Sequence, residues 1–192
     1  MSLTSFVRRV ADLLEAASVP YMLTGSLAGA YYATPRATQD IDVVIDTEEA
    51  GIDRLVQEFQ GAGLYVDRDA ALDAWRHRSQ FKAIDPESGW KVDLIVRKDR
   101  AFSREEFERR GRADVFGIEV SLATLEDLLI AKLEWAQMGD SELQRGDVAR
   151  LLERAGESLN REYVEKWVDA LGLQAEWRSV LARVDGESGS AL

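Results

Sequence analysis

The sequence predicts an α/β protein of the α+β type: a small mixed, mainly antiparallel sheet flanked by helices, then a helical C-terminal part. Three observations predict it. Asp40-Ile41-Asp42-Val43-Val44-Ile45 alternates acid and aliphatic residues with the period of a strand before its apolar end. Gln80 to Ile84 and Trp90 to Val96 flank Asp85-Pro86-Glu87-Ser88-Gly89, whose proline and glycine suit a hairpin loop. From Thr124 onward, apolar residues recur at helical spacing.

The elements follow in chain order. Leu3, Phe6, Val7, Val10, Leu13, Leu14 and Ala17 predict an opening amphipathic helix that ends before Pro20. Tyr21-Met22-Leu23 is a short strand running into Gly25-Ser26, where a second helix starts. After the Asp40 strand come a helix over Glu48 to Gln60, closed by Gly61-Ala62-Gly63, and a brief strand at Leu64-Tyr65-Val66. Beyond the hairpin, a strand pair within Ala113 to Val120 reverses near Phe116-Gly117. Helices are expected over Thr124–Met138, Gln144–Ala155, Arg161–Leu171 and Gln174–Val184. This organisation divides the chain into a core at 1–122, a helical part at 123–184 that closes a cleft, and a disordered tail at 185–192.

Composition narrows the chemistry. The 192 residues suffice for one well-buried domain with a helical appendage. There is no cysteine, and the single histidine, His77, lies between Arg76 and Arg78, so a Cys/His zinc site and a Ser-His-Asp triad lack their raw material. No stretch approaches the roughly 18 apolar residues of a membrane span, and no signal peptide is recognisable; a cytoplasmic protein with no membrane partner is expected. A net charge of −11 disfavours nonspecific attraction to nucleic acid. The one basic candidate patch, Arg97 to Arg112, is either a local acceptor surface or a solvated helix face with internal ion pairs.

Strand alternation puts Asp40 and Asp42 on one face and Ile41, Val43 and Ile45 on the other. Two like charges side by side repel, and a cation between them, commonly Mg2+ with its oxygen ligands, relieves that repulsion. Asp93, in Lys91-Val92-Asp93-Leu94-Ile95-Val96, repeats the pattern. If the two strands are neighbours, the three acids converge on a patch for two metal ions about 3.5–4 Å apart, the arrangement of in-line phosphoryl chemistry. Gly25-Ser26, between a strand and a helix, allows backbone amides to approach a phosphate.

Together these residues resemble the nucleotidyltransferase superfamily that shares its fold with the DNA polymerase β palm. Gly25-Ser26 is similar to its Gly-Ser turn, Asp40-x-Asp42 to its metal pair and Asp93 to its third acid. Arg36-Ala37-Thr38-Gln39-Asp40-Ile41-Asp42, Asp127-Leu128-Leu129-Ile130-Ala131-Lys132 and Arg145-Gly146-Asp147 most resemble the AbiEii-like minimal nucleotidyltransferases. Relatives there often carry Lys directly before the last acid, where this chain has Gly146. The resemblance covers about residues 19 to 152. It implies transfer of a nucleoside monophosphate from a nucleoside triphosphate to an acceptor hydroxyl. Asp40 and Asp42 would hold two Mg2+ ions, with Asp93 as third ligand and base. Gly25 and Ser26 would hold the β and γ phosphates, and Lys132 would offset charge on the leaving pyrophosphate, with Arg36, Arg145 and Asp147 as further candidates. The acceptor could be a small molecule, a protein or tRNA.

Lys132 falls in the apolar stripe of Leu125, Leu128, Leu129 and Ala136. A lysine there needs an anion: a triphosphate, as the resemblance implies, or a structural carboxylate. Otherwise its stem must snorkel to water. Other Asp-x-Asp chemistries fit poorly. A calcium loop opening at Asp40 would want Gly at its sixth position and Glu at its twelfth, where Ile45 and Gly51 stand. Aspartate-nucleophile phosphatases place the acids after the hydrophobic strand, whereas here they precede it. A second class of function stays open: the fold kept as a binding or regulatory module, the antitoxin-like half of a toxin–antitoxin pair, with a partner protein.

Overall fold

The computed structural model describes residues 1–33 and 40–189. The chain divides into two compact units, Met1–Leu27 with Ala37–Ala123, and Ala28–Arg36 with Thr124–Leu192. Of the described residues, 28–33 group with the C-terminal helices.

The first unit holds all seven strands: β1 (Tyr21–Thr24), β2 (Asp40–Ile45), β3 (Tyr65–Val66), β4 (Gln80–Ile84), β5 (Lys91–Val96), β6 (Gly111–Asp114) and β7 (Glu119–Leu122). They form one sheet in the order β3-β4-β5-β2-β1-β7-β6. The β2–β5 and β1–β7 pairs are parallel and the rest antiparallel, so the sheet is mixed and mainly antiparallel, as its alternation predicts.

Register follows from burial. Ile41, Val43, Ile45, Val92, Leu94 and Val96 are fully buried, and each such side chain is worth about 1.5–3 kcal/mol against leaving it in water. A slip of one residue would exchange that set for Asp40, Asp42 and Asp93, so hydrophobic burial alone commits the acids to the other face. The same unit contains α1 (Leu3–Ala16), α3 (Glu49–Gly61), α4 (Arg68–His77) and α5 (Ala101–Arg109). α1 and α3 pack together through faces that include Phe6, Val10, Leu14, Ile52, Leu55 and Phe59, all at most 1 % exposed.

α4 is absent from the sequence reading. Its start is signalled by Asp67, whose carboxylate accepts from the amides of Asp69 and Ala70, and its buried stripe is only Ala71, Leu72 and Ala74. Three residues, two of them alanine, make a weak periodic signal.

α2 (Gly25–Tyr32) begins in the first unit directly after β1. The second unit consists otherwise of α6 (Leu125–Gly139), α7 (Glu142–Ala155), a short 3-10 turn, α8 (Arg161–Ala170) and α9 (Gln174–Gly189). Thr124, Ser141 and Asn160 cap α6, α7 and α8 through their side-chain oxygens. Trp167 and Trp177 are buried in this packing. α9 runs through Gly186, since an isolated glycine costs a helix about 1 kcal/mol and does not end it. Among the described residues no helix is long and apolar enough to cross a membrane.

Candidate active site

Four strands contribute one row of side chains to the face opposite the buried aliphatic set. Thr24 is the register partner of Asp42, Asp42 of Asp93, and Asp93 of Lys82. The row therefore reads Thr24-Asp42-Asp93-Lys82 across β1, β2, β5 and β4. The next row is apolar: Met22 pairs with Val44 and Val44 with Ile95, and Phe107 and Ala123 pack over these three. On the other side Asp40 pairs with Lys91. A polar row thus borders a dry floor, and the sheet supplies the rigid spacing.

Gly25 brings the strand-to-helix turn against Asp42. Its φ of +63° suits glycine, and a Cβ added there would lie 2.8 Å from Asp42 Cβ and collide with the carboxylate itself. The cradle at this point exists because position 25 has no side chain. Ser26 follows as the next residue of α2 and is half-buried.

Lys82 is the member that sequence reasoning missed. Its Nζ donates to both oxygens of Asp93, at 2.7 and 2.9 Å. The hydrogen bond to Asp93 holds the ammonium above its ordinary range, and the charges of Asp93, Asp40 and Asp42 add to it against desolvation. All three acids therefore act on one cation. The signal was present: Phe81 and Ala83 alternate inward, which leaves Lys82 on the acid face of the same hairpin. Among the described residues, no group of three or more His, Asp or Glu side chains is gathered as a metal cluster. The acids nonetheless fit a divalent ion in type and face: oxygen donors in adjacent strands, with a side-chain-free turn against one of them.

No protein-family model matches the chain, and no curated protein does. Its three-dimensional likenesses are clear. The solution structure of the antibiotic-resistance factor ANT(2'')-Ia superposes with a TM-score of 0.60 at 15% identity, over 99% of this chain and 100% of that one. The crystal structure of ANT(2'')-Ia in complex with adenylyl-2''-tobramycin gives 0.59 at 14%, over 92% and 99%. An antigenic nucleotidyltransferase-like protein from Paracoccidioides brasiliensis gives 0.56 at 18%, over 96% and 89%. The fold is that of the nucleotidyltransferases. At such identities the likeness is one of fold.

The other expected residues of this nucleotidyltransferase fold lie elsewhere in the chain. Arg36 falls outside the described residues. In the second unit, Lys132 is 3 % exposed and donates to Asp147 Oδ2 at 2.8 Å and to Gln144 Oε1 at 3.1 Å, while Arg150 also pairs with Asp147. The anion that the apolar stripe demands is thus present within the helices. Arg145 spends its donors on Glu176, Asp140 and Glu142, each at 2.6 Å, and these bonds, that to Glu176 foremost, raise its pKa. It ties α7 to α9 and to the end of α6. Asp127 accepts from Tyr163 Oη at 2.7 Å and from Thr124 Oγ1 at 2.6 Å.

Within the basic stretch, Arg97, Arg104 and Arg112 are paired with carboxylates. Arg97 pairs with Asp46 at 2.9 Å, Arg104 with Asp99, and Arg112 with Glu119 at 2.8 Å and Glu15 at 3.6 Å, while the Arg110 guanidinium lies 4.0 Å over the Phe107 ring. Of these pairs Arg104–Asp99 lies within the stretch, whereas Asp46, Glu119 and Glu15 come from other segments.

Proposed function

We propose that the chain transfers a nucleoside monophosphate from a nucleoside triphosphate to the hydroxyl of a small acceptor molecule and releases pyrophosphate. The observation that carries this reading is the register row Thr24-Asp42-Asp93-Lys82, with the Gly25 turn seated against Asp42. It is supported by the nucleotidyltransferase fold.

Asp40, Asp42 and Asp93 would hold two Mg2+ ions, whose chemistry is to neutralise the triphosphate and make the acceptor hydroxyl easier to deprotonate. The Gly25 and Ser26 amides, with the Ser26 hydroxyl, bind the β and γ phosphates. Asp93 takes the hydroxyl proton. The acceptor oxygen bonds to the α-phosphorus, and the bond from that phosphorus to its bridging oxygen breaks, the electron pair leaving with pyrophosphate. For Lys132, the buried pair with Asp147 supports the structural bridge over the phosphate role. Arg145 and Asp147 likewise serve the helices.

The acceptor class is drawn from charge and from likeness. A net charge of −11 and the ion-pairing of Arg97, Arg104 and Arg112 argue against RNA. ANT(2'')-Ia forms a complex with adenylyl-2''-tobramycin, which makes aminoglycosides the first acceptors to try. The AbiEii-like resemblance, which would add a toxin–antitoxin setting, rests on the sequence motifs alone.

The test is incubation with each α-labelled nucleoside triphosphate, Mg2+ and either a panel of aminoglycosides or total cell extract, with nuclease and protease treatment of labelled material. Label in a small molecule that resists both enzymes is expected, and its loss in Asp42→Asn. Nuclease-sensitive label would overturn the acceptor, and no turnover with any acceptor would overturn the enzyme. A second reading, a binding or regulatory module, draws on Trp135, Met138 and Leu143, which are 48, 68 and 56 % exposed on α6 and α7. Retained partner capture with no nucleotide turnover would favour it.

A further inference from the structure

Lys82 and Asp93 form a pair whose role can be argued from its geometry, resting on the function just proposed. One ammonium occupies both oxygens of the carboxylate that the proposed chemistry requires as ligand and base. The side chains differ in exposure: Asp93 is 13 % exposed and Lys82 49 %. The acid is held by the sheet, whereas the lysine has a flexible stem with its tip in water. A lysine in this position can let go, where an arginine with a rigid planar fork would be harder to displace from a carboxylate.

We propose that Lys82 is a positioning residue: it serves as the resident counter-cation of the acidic row, holding Asp93 in the metal-free protein and yielding it when a divalent ion binds. Asp42 and Asp93 are direct register partners, and two like charges side by side repel. A cation supplied by the neighbouring strand keeps the row compact, and its half-exposed position makes the bond weak enough to exchange. An ammonium held against both oxygens of Asp93 repels a divalent ion brought to the same carboxylate, so ammonium and metal compete for it. The competition sets the metal affinity of the empty protein.

The experiment measures Mn2+ binding to the full chain without nucleotide, by the electron-spin signal of the free ion, together with melting temperature with and without Mn2+. Four proteins are compared: wild type, Lys82→Met, Lys98→Met and Asp42→Asn. Lys98 is exposed, so its loss removes the same charge away from Asp93. Lys82→Met should bind Mn2+ about tenfold more tightly, melt lower than wild type without metal and gain more on adding it, while Lys98→Met should match wild type. Binding by Lys82→Met that is equal to or weaker than wild type would overturn the competition, and so would an equal gain in Lys98→Met. If wild type binds weakly or not at all and Lys82→Met recovers binding, the competition is supported. If neither binds and Asp42→Asn is indistinguishable from both, the metal reading of the whole site fails, and this proposal with it.

Discussion

Asp42 and Asp93 are direct register partners on the adjacent parallel strands β2 and β5, and each has a polar partner on its far side, Thr24 for Asp42 and Lys82 for Asp93. A parallel neighbour cannot come from a tight turn. The chain from α3 through β4 therefore intervenes before β5 returns beside β2, and the acidic row exists only once that return is complete.

Removing one charge from the row should separate stability from function. Asp42→Asn keeps the shape beside Gly25 but relieves like-charge repulsion, so the metal-free melting temperature should hold or rise while Mg2+-dependent transfer is lost. Near wild-type turnover in this variant would show that Asp42 is not a metal ligand.

Gly25→Ala should act on both the backbone and the site. The left-handed φ and the contact with Asp42 each penalise a methyl group, and a loss of about 1–3 kcal/mol is expected in urea unfolding. Nucleotide affinity should fall with it, because the Asp42 carboxylate must move to make room. A variant as stable as wild type would mean that the turn adapts at no cost.

The Lys132–Asp147 pair makes a prediction for the second unit. Lys132→Met removes a buried cationic partner of Asp147, whose pair with the half-exposed Arg150 remains, and should destabilise the protein by about 3 kcal/mol. Replacing both partners, Lys132→Met with Asp147→Leu, should restore much of that loss, since no uncompensated charge stays buried. Chemical denaturation of the single and double variants decides it. A single variant of wild-type stability, with nucleotide binding weakened more than about tenfold, would instead return Lys132 to the triphosphate.

Asp85 connects the hairpin loop to acid stability. Its carboxylate accepts from the Ser88 hydroxyl and from the Glu87 amide at 3.4 Å and lies 3.8 Å from Arg9, and the Ser88 bond is the largest cause of its lowered pKa. A carboxyl depressed in the folded state contributes stability above its unfolded pKa and loses it as pH falls through the folded one. Asp85→Asn should therefore flatten the acid limb of the stability profile while costing stability at neutral pH. Parallel wild-type and variant curves below pH 5 would contradict the assignment.

Much of this protein was legible from residue order alone, and each part that was legible is local. Alternation in Asp40–Ile45 and Lys91–Val96 determines which side chains share a face, because the pleat has a period of two and the aliphatic set must be buried. Apolar spacing determines α1, α3 and α6 to α9 in the same way, with side-chain caps starting α1, α6, α7 and α8. α4 escaped because small alanines carry its buried stripe. What only tertiary structure decided is pairing. That β5 lies beside β2 and not beside β1, and that Lys132 on α6 finds Asp147 on α7, depend on distances between segments that no periodicity encodes. The physical reason is that local patterns choose a face by hydrophobic burial, whereas the neighbour across that face is chosen by the packing of the whole chain.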